Sequence, residues 1–267
     1  MKGIKTEYIY RERNGVIAQV EDQIAIEEPL EMRILTDGIE KSISVTMRTP
    51  TNDAFLAAGF LFTEGIISNQ KEIKNITSAE NIVTVELASG TKVDVKKVER
   101  NFYTTSSCGV CGKSSIDSIN TNSQFEISTD VHLIQKSILF GLQNILKEQQ
   151  SLFSLTGGIH AAALFDFTGK LISLQEDVGR HNALDKLIGD AMLKDSLPLK
   201  QHLLLLSGRA SFELIQKATM AGIPIIAAIG APSSLAIELA KENGHTLIGF
   251  LKKKGFNIYC GYERIEN

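Results

Sequence analysis

Polar and apolar residues alternate along six short stretches of the first hundred positions: Thr6 to Tyr10, Val16 to Val20, Glu31 to Leu35, Ile39 to Val45, Asn81 to Leu87 and Lys92 to Val98. A period of two puts every second side chain on one face of an extended chain, so these stretches predict strands. One helix interrupts them. Thr51 or Asn52 is placed to cap it, Phe55, Leu56, Gly59, Phe60 and Phe62 supply an apolar stripe, and Gly65 ends it. From Asn101 to Gln124 the chain is rich in Ser, Thr, Asn and Gly with few apolar anchors, which predicts a long, mobile loop.

The rhythm then changes. Asp130 is placed to cap a second long helix in which Leu133, Ile134, Ile138, Leu139, Leu142 and Ile145 recur at helical spacing. Ala161 to Phe167 and Lys170 to Leu174 read as a strand pair around Thr168-Gly169, followed by a helix through Ala183, Leu184, Leu187, Ile188 and Met192. Strand Leu203 to Leu206, helix Ser211 to Ala221, strand Ile223 to Ile229, helix Ser233 to Lys241 and strand Thr246 to Leu251 follow. Strands that are nearly all apolar and alternate with helices predict a sheet covered on both faces. The expected fold is mixed α/β: a strand-rich part over residues 1–125, ending in the loop, and a three-layer α/β/α domain over residues 126–267.

The junctions between these elements hold the unusual residues. Thr156-Gly157-Gly158-Ile159-His160, Glu176-Asp177-Val178-Gly179-Arg180-His181-Asn182, Ser207-Gly208-Arg209-Ala210-Ser211 and Gly230-Ala231-Pro232-Ser233-Ser234 all fall there. In open α/β sheets the crevice beyond the strand ends is the usual ligand site, and helix N-termini offer free N–H groups to phosphates. Gly157, Gly158 and Gly208 permit close approach of backbone to a ligand, and Arg180 and Arg209 present the planar fork that matches a phosphate. The bland readings stand beside these: His160 and His181 as capping or core groups, the arginines paired with Glu176, Asp177 or Glu213, and Asp185 with Lys186 as a surface pair on the helix. Lys252, Lys253 and Lys254 form a basic run that composition alone assigns to a solvated turn.

With 267 residues, 43% hydrophobic residues, 22% charged residues and a formal net charge of -3, the chain has no global electrostatic case for nucleic acid or an anionic membrane. The first residues lack the apolar core of a signal peptide, and no long uncharged apolar run suggests a membrane span, so a cytoplasmic protein is expected. Three cysteines do not make a secreted disulfide framework. Cys260 lies in a strand-like run, Ile258 to Gly261, and reads as a packing residue. Cys108 and Cys111 differ: they stand in Ser106-Ser107-Cys108-Gly109-Val110-Cys111-Gly112-Lys113, among polar and glycine neighbours that no core would choose. A C-x-x-C pair beside a lysine suits metal binding, dithiol redox chemistry or sulfur transfer. A structural zinc site normally needs four ligands, and a thioredoxin-like pair opens a helix after a strand, whereas a loop is predicted here.

Together and in order, S-S-C-G-V-C-G, T-G-G-I-H-A-A-A, E-D-V-G-R-H-N-A-L-D-K, S-G-R-A-S-F-E and G-A-P-S-S-L-A-I resemble the formate dehydrogenase accessory sulfurtransferase family. The resemblance covers nearly the whole chain, from about Pro50 onward most firmly. It implies a sulfurtransferase that accepts persulfide sulfur from a cysteine desulfurase. The sulfur passes to a molybdenum or tungsten bis(molybdopterin guanine dinucleotide) cofactor, which then enters formate dehydrogenase. Cys108 maps to the family's persulfide-bearing position and Cys111 to the second thiol. The family's cofactor-contacting segment maps to Phe250, Leu251, Lys252, Lys253, Lys254 and Gly255. The glycine turns with His160, Arg180, His181, Ser207 and Arg209 would serve the same acceptor, which GDP or GTP would mimic. A homodimer with no metal of its own is expected.

The family's fold resembles that of the cytidine deaminases, which bind zinc through H-x-E and P-C-x-x-C. Here Ala161-Ala162 follow His160 and Ser107 precedes Cys108, which argues against a zinc hydrolase on that scaffold. An adaptor that binds the cofactor without making a bond to sulfur is the other alternative.

Overall fold

All of Leu203–Leu206 is buried, yet the four leucines divide by position: Leu204 and Leu206 pack into one core, Leu203 and Leu205 into another. Ile226 and Ala228 against Ile225 and Ala227, and Ala162 and Leu164 against Ala161, Ala163 and Phe165, divide in the same way. That division is what a strand covered on both faces requires, and it explains why these segments carry unbroken apolar runs. The computed structural model describes residues 2–91, 123–127 and 133–266.

The strands are β1 (Ile4–Arg13), β2 (Val16–Ala25), β3 (Glu28–Thr36), β4 (Ile39–Arg48), β5 (Ile73–Ala79), β6 (Ile82–Leu87), β7 (Ile134–Gln135), β8 (His160–Asp166), β9 (Leu171–Asp177), β10 (His202–Leu206), β11 (Ile225–Ala228), β12 (Thr246–Lys252), β13 (Gly255–Cys260) and β14 (Ile265–Glu266). The helices among the described residues are α1 (Asp53–Thr63), α2 (Lys136–Gln149), α3 (Ser151–Thr156), α4 (Arg180–Leu193), α5 (Phe212–Met220) and α6 (Ser234–Glu242).

A six-stranded sheet of order β13-β12-β11-β10-β8-β9 forms the centre. Its middle strands β10, β11 and β12 are parallel, and β8, β9 and β13 run antiparallel to their neighbours. Leu139, Leu142 and Leu146 of α2 cover one face, while α4, α5 and α6 cover the other through Leu184, Leu187, Leu214, Ile215, Ala236 and Ala240. This is the expected three-layer α/β/α arrangement in a mixed α/β chain. Beyond α4 lies α1, and beyond α1 a four-stranded sheet of order β4-β3-β6-β5. Leu30, Met32, Ile34, Val83 and Val85 of that sheet belong to the same core as α1 and α4, so one apolar cluster joins residues from both halves of the chain.

Several local expectations are corrected. β5 carries no strand signal because a bulge between Ile73 and Asn75 breaks its alternation at the sheet edge. Asn52 sits at the start of α1 with φ 54° and makes no capping bond; its Nδ2 donates instead to Gln175 Oε1 at 2.8 Å. α2 begins at Lys136, because Ile134 is committed to β7, where it pairs with Ile265 and is buried. The strand expected over Lys92 to Val98, Asp130, and most of the predicted loop lie outside the described residues. At the loop's far end, Ser123 Oγ donates to Thr219 O at 3.0 Å and Phe125 packs against the main core.

Candidate functional site

Antiparallel pairing sets the start of β8 beside the ends of its two neighbours: Ala162 pairs with Leu206 of β10 and His160 with Asp177 of β9. The parallel strands β11 and β12 end on the same side, and so does the β12–β13 turn, where Lys252 pairs with Gly255. The four glycine-bearing junctions and the Phe250–Gly255 segment therefore meet at one end of the central sheet.

Backbone hydrogen bonds stitch that end together. Ala161 N donates to Ser207 Oγ at 2.8 Å and Ser207 N to Ala161 O at 3.0 Å. Gly230 N donates to Gly208 O at 2.9 Å and Phe250 N to Gly230 O at 3.0 Å. The close approach explains Gly230, since a Cβ there would meet Arg209 N and Gly208 O at 3.1 Å. Gly208 lies against the His160 ring, which a Cβ would approach to 3.4 Å.

The cationic groups sit around this floor. Arg209 is exposed and has no ion pair among the described residues. Arg180 opens α4, and its Nε is buried with no hydrogen-bond partner among them. Neither arginine pairs with Glu176, Asp177 or Glu213: Glu176 accepts from Leu152 N and Phe153 N at the start of α3, Asp177 is held by Lys186, and Glu213 faces His181. Burial pushes the His160 imidazole down, with Arg180 and His181 pushing the same way against Asp177, so His160 is neutral at neutral pH. Gly157 closes α3 with φ 68°. Lys252, Lys253 and Lys254 are exposed at the rim, and Phe250 is 43% exposed. Leu251 is different: it is fully buried in the core on the α2 side, away from the crevice. Cys108 and Cys111 lie outside the described residues. Cys260, half-buried, packs against the main core and donates its thiol to His245 O at 3.3 Å.

Sequence reasoning missed what holds this site. Asp177 is completely buried; its Oδ1 accepts from Gly179 N at 2.7 Å and Asn182 Nδ2 at 3.1 Å, and its Oδ2 from Thr49 N at 3.1 Å and Lys186 Nζ at 2.6 Å. Lys186 Nζ also donates to Thr49 O, and Asn182 Nδ2 to Met47 O. The Gly179–Asn182 turn is thus fastened to the end of β4. Asp185 and Lys186 are not a surface pair: both are buried, and Asp185 faces Lys217 at 3.0 Å while accepting from Thr63 Oγ1 at 2.8 Å. Burial opposes the Lys217 charge, but Asp185 and Glu64 outweigh it and keep the ammonium charged. Ala183, Leu184, Leu187 and Ile188 fall on one side of α4 and Asp185 with Lys186 on the other, so helical spacing reads as amphipathic and carries no signal of their burial.

The FdhD/NarQ family model matches residues 25–266. The chain belongs to the FdhD/NarQ family. A protein of Streptomyces coelicolor described as sulfur carrier protein FdhD is 46% identical over 268 residues, covering 96% of this chain and 94% of its own length. The sulfur carrier protein FdhD of Picrophilus torridus is 44% identical, covering 96% and 98%. The crystal structure of a protein from Desulfotalea psychrophila, provisionally assigned as a formate dehydrogenase accessory protein, superposes with a TM-score of 0.74 over 98% of this chain and 99% of that one. At 23% identity that likeness bears on the fold.

Among the described residues of this FdhD/NarQ family member, no three His, Cys, Asp or Glu side chains are grouped to hold a metal ion. No helix among them is long and apolar enough to cross a membrane.

Proposed function

We propose that this chain is a sulfur carrier acting on a guanine-nucleotide-bearing cofactor. In this reading the Cys108 thiolate attacks the outer sulfur of a persulfide on a cysteine desulfurase. The donor S–S bond breaks, a new S–S bond forms on Cys108, and the desulfurase cysteine leaves as thiolate. Cys111 then attacks the inner sulfur of Cys108, a disulfide closes, and hydrosulfide is released to the acceptor; a cellular dithiol reductant restores the pair. The acceptor is a molybdenum or tungsten bis(molybdopterin guanine dinucleotide) cofactor destined for formate dehydrogenase, and the carrier works in the cytoplasm as a homodimer.

The observation that carries the reading is the 46% identity, over 96% of this chain, with a protein described as a sulfur carrier. The strand-end crevice supports the second half: Arg209 without an ion pair among the described residues, the buried unpartnered Arg180 Nε and the rim lysines suit a ligand with several phosphates.

The test is mass spectrometry after incubation with a desulfurase and cysteine. The expected gain is about 32 Da per sulfur, lost in Cys108→Ala. A protein that binds cofactor but never gains sulfur would instead be an adaptor. Full formate dehydrogenase activity in a strain carrying only Cys108→Ala would defeat the persulfide assignment.

A further inference from the structure

His181 and Glu213 come from different motifs and different helices, and the fold sets them against each other beside the crevice. His181 is the second residue of α4 and Glu213 the second of α5. His181 Nε2 stands 3.4 Å from Ser211 Oγ and 3.8 Å from Glu213 Oε2, with the two charged-type side chains only 15% and 17% exposed. Both contacts use the same ring nitrogen, and Nδ1 has no hydrogen-bond partner among the described residues.

We propose that Glu213 is a positioning residue that holds His181 in its Nε2–H tautomer, so that Nδ1 is presented as the acceptor for an N–H or O–H donor of the ligand in the crevice. The proposal rests on the reading of that crevice as a ligand site.

The carboxylate favours one arrangement. A neutral imidazole carries a single N–H, and the nitrogen that faces an acceptor-only carboxylate is the one favoured to bear it, since the hydroxyl serves either tautomer. Burial raises the Glu213 carboxyl, but the nearby His181 ring, its own backbone N–H and the neighbouring Ser211 hydroxyl outweigh it and bring the group to about 2. Glu213 is therefore an anion throughout the neutral range. A hydroxyl accepts as well as donates, so Ser211 Oγ at 3.4 Å is a second acceptor for Nε2–H. Of the other titratable groups, His160 on β8 interacts electrostatically with the His181 ring, and Arg180 precedes it on the same helix. Asp177 is engaged by Gly179, Asn182, Thr49 and Lys186 and does not compete. Carboxylates orient ligating and catalytic histidines in the same manner elsewhere.

The experiment is a two-bond proton–nitrogen correlation spectrum of the histidine rings in the ligand-free full chain, with His181→Ala to assign the signals. The wild type shows the Nε2–H pattern at His181. Glu213→Gln, which keeps an acceptor oxygen, retains it, and Glu213→Ala shifts the ring toward Nδ1–H. An Nδ1–H wild type, or an unchanged tautomer in a folded Glu213→Ala, overturns the proposal. GDP is then titrated as probe. His181 Nδ1 moves on binding, and Glu213→Ala weakens GDP about five-fold, the loss of one hydrogen bond. GDP that perturbs Arg209 and the Gly208–Gly230 backbone while His181 Nδ1 stays still overturns the acceptor role and spares the crevice. Failure of the wild type to bind GDP overturns the crevice reading, and the tautomer spectrum of the free protein still decides the Glu213–His181 relationship.

Discussion

Gly59 and Gly189 face each other where α1 crosses α4, and neither tolerates a side chain: a Cβ on Gly59 would lie 1.9 Å from Asp185 O, and one on Gly189 1.9 Å from Phe55 O. Backbones this close bring Thr49 within reach of Asp177 and Lys186, and Thr63 within reach of Asp185. The crossing thereby joins the N-terminal sheet to the turn that carries Arg180 and His181.

Alanine at either glycine is expected to destabilise the fold by roughly 1–3 kcal/mol or more, because the helices must separate. Alanine at Gly141 of α2, where nothing lies within 4 Å of the added Cβ, is expected to stabilise by up to about 1 kcal/mol through helix propensity. Urea denaturation of the three variants checks the opposite signs, and a neutral Gly59→Ala would refute the crossing.

Lys186→Met leaves the Asp177 carboxylate buried and without its cation. A loss of about 3–5 kcal/mol is expected. Adding Asp177→Asn in the same chain removes the stranded charge and should recover part of the loss. A double variant that is no more stable than Lys186→Met would show that packing rather than charge matters there.

His245 sets an acid limit on stability. Burial depresses its imidazole to about 4, outweighing the hydrogen bond with Ile223 O at 2.9 Å. Its folded pKa lies below the ordinary 6.5, so between those values the unfolded chain binds the extra proton and stability falls as pH falls. The full effect is about 3 kcal/mol, reached near pH 4 and absent above pH 7. His160 and His202, also lowered chiefly by burial, act with the same sign. Melting temperatures from pH 7 to pH 5 should therefore decline in the wild type and decline less in His245→Asn; equal slopes would exclude His245 as the source.

Arg209→Ala is expected to weaken GDP binding by roughly 1–3 kcal/mol, the range of a charge-assisted hydrogen bond, with no change in melting temperature. Isothermal titration of the variant measures it. An unchanged affinity would remove Arg209 from the site.

Much of the architecture was legible in the chain itself. Leu203–Leu206 and Ile225–Ala228 announced buried strands because a strand covered on both faces has no polar positions to show. The junction residues His160, Arg180, His181, Ser207 and Arg209 could be placed together in advance, since strand ends of one sheet converge whatever their separation in sequence. β5 was hidden by its bulge, and the start of α2 by the long-range pairing of Ile134 with Ile265.

Periodicity, glycine placement and the C-x-x-C spacing are local properties, so composition and order alone dictated most of the element types and the mixed α/β class, and marked Cys108 and Cys111 as a candidate pair. The burial of Asp185 and Lys186, the clasp of Asp177 on β4 and the facing of His181 by Glu213 came from elsewhere. Each depends on which distant segment covers which face, and that is decided by two helices packing closely enough to exclude water from groups that would otherwise be solvated.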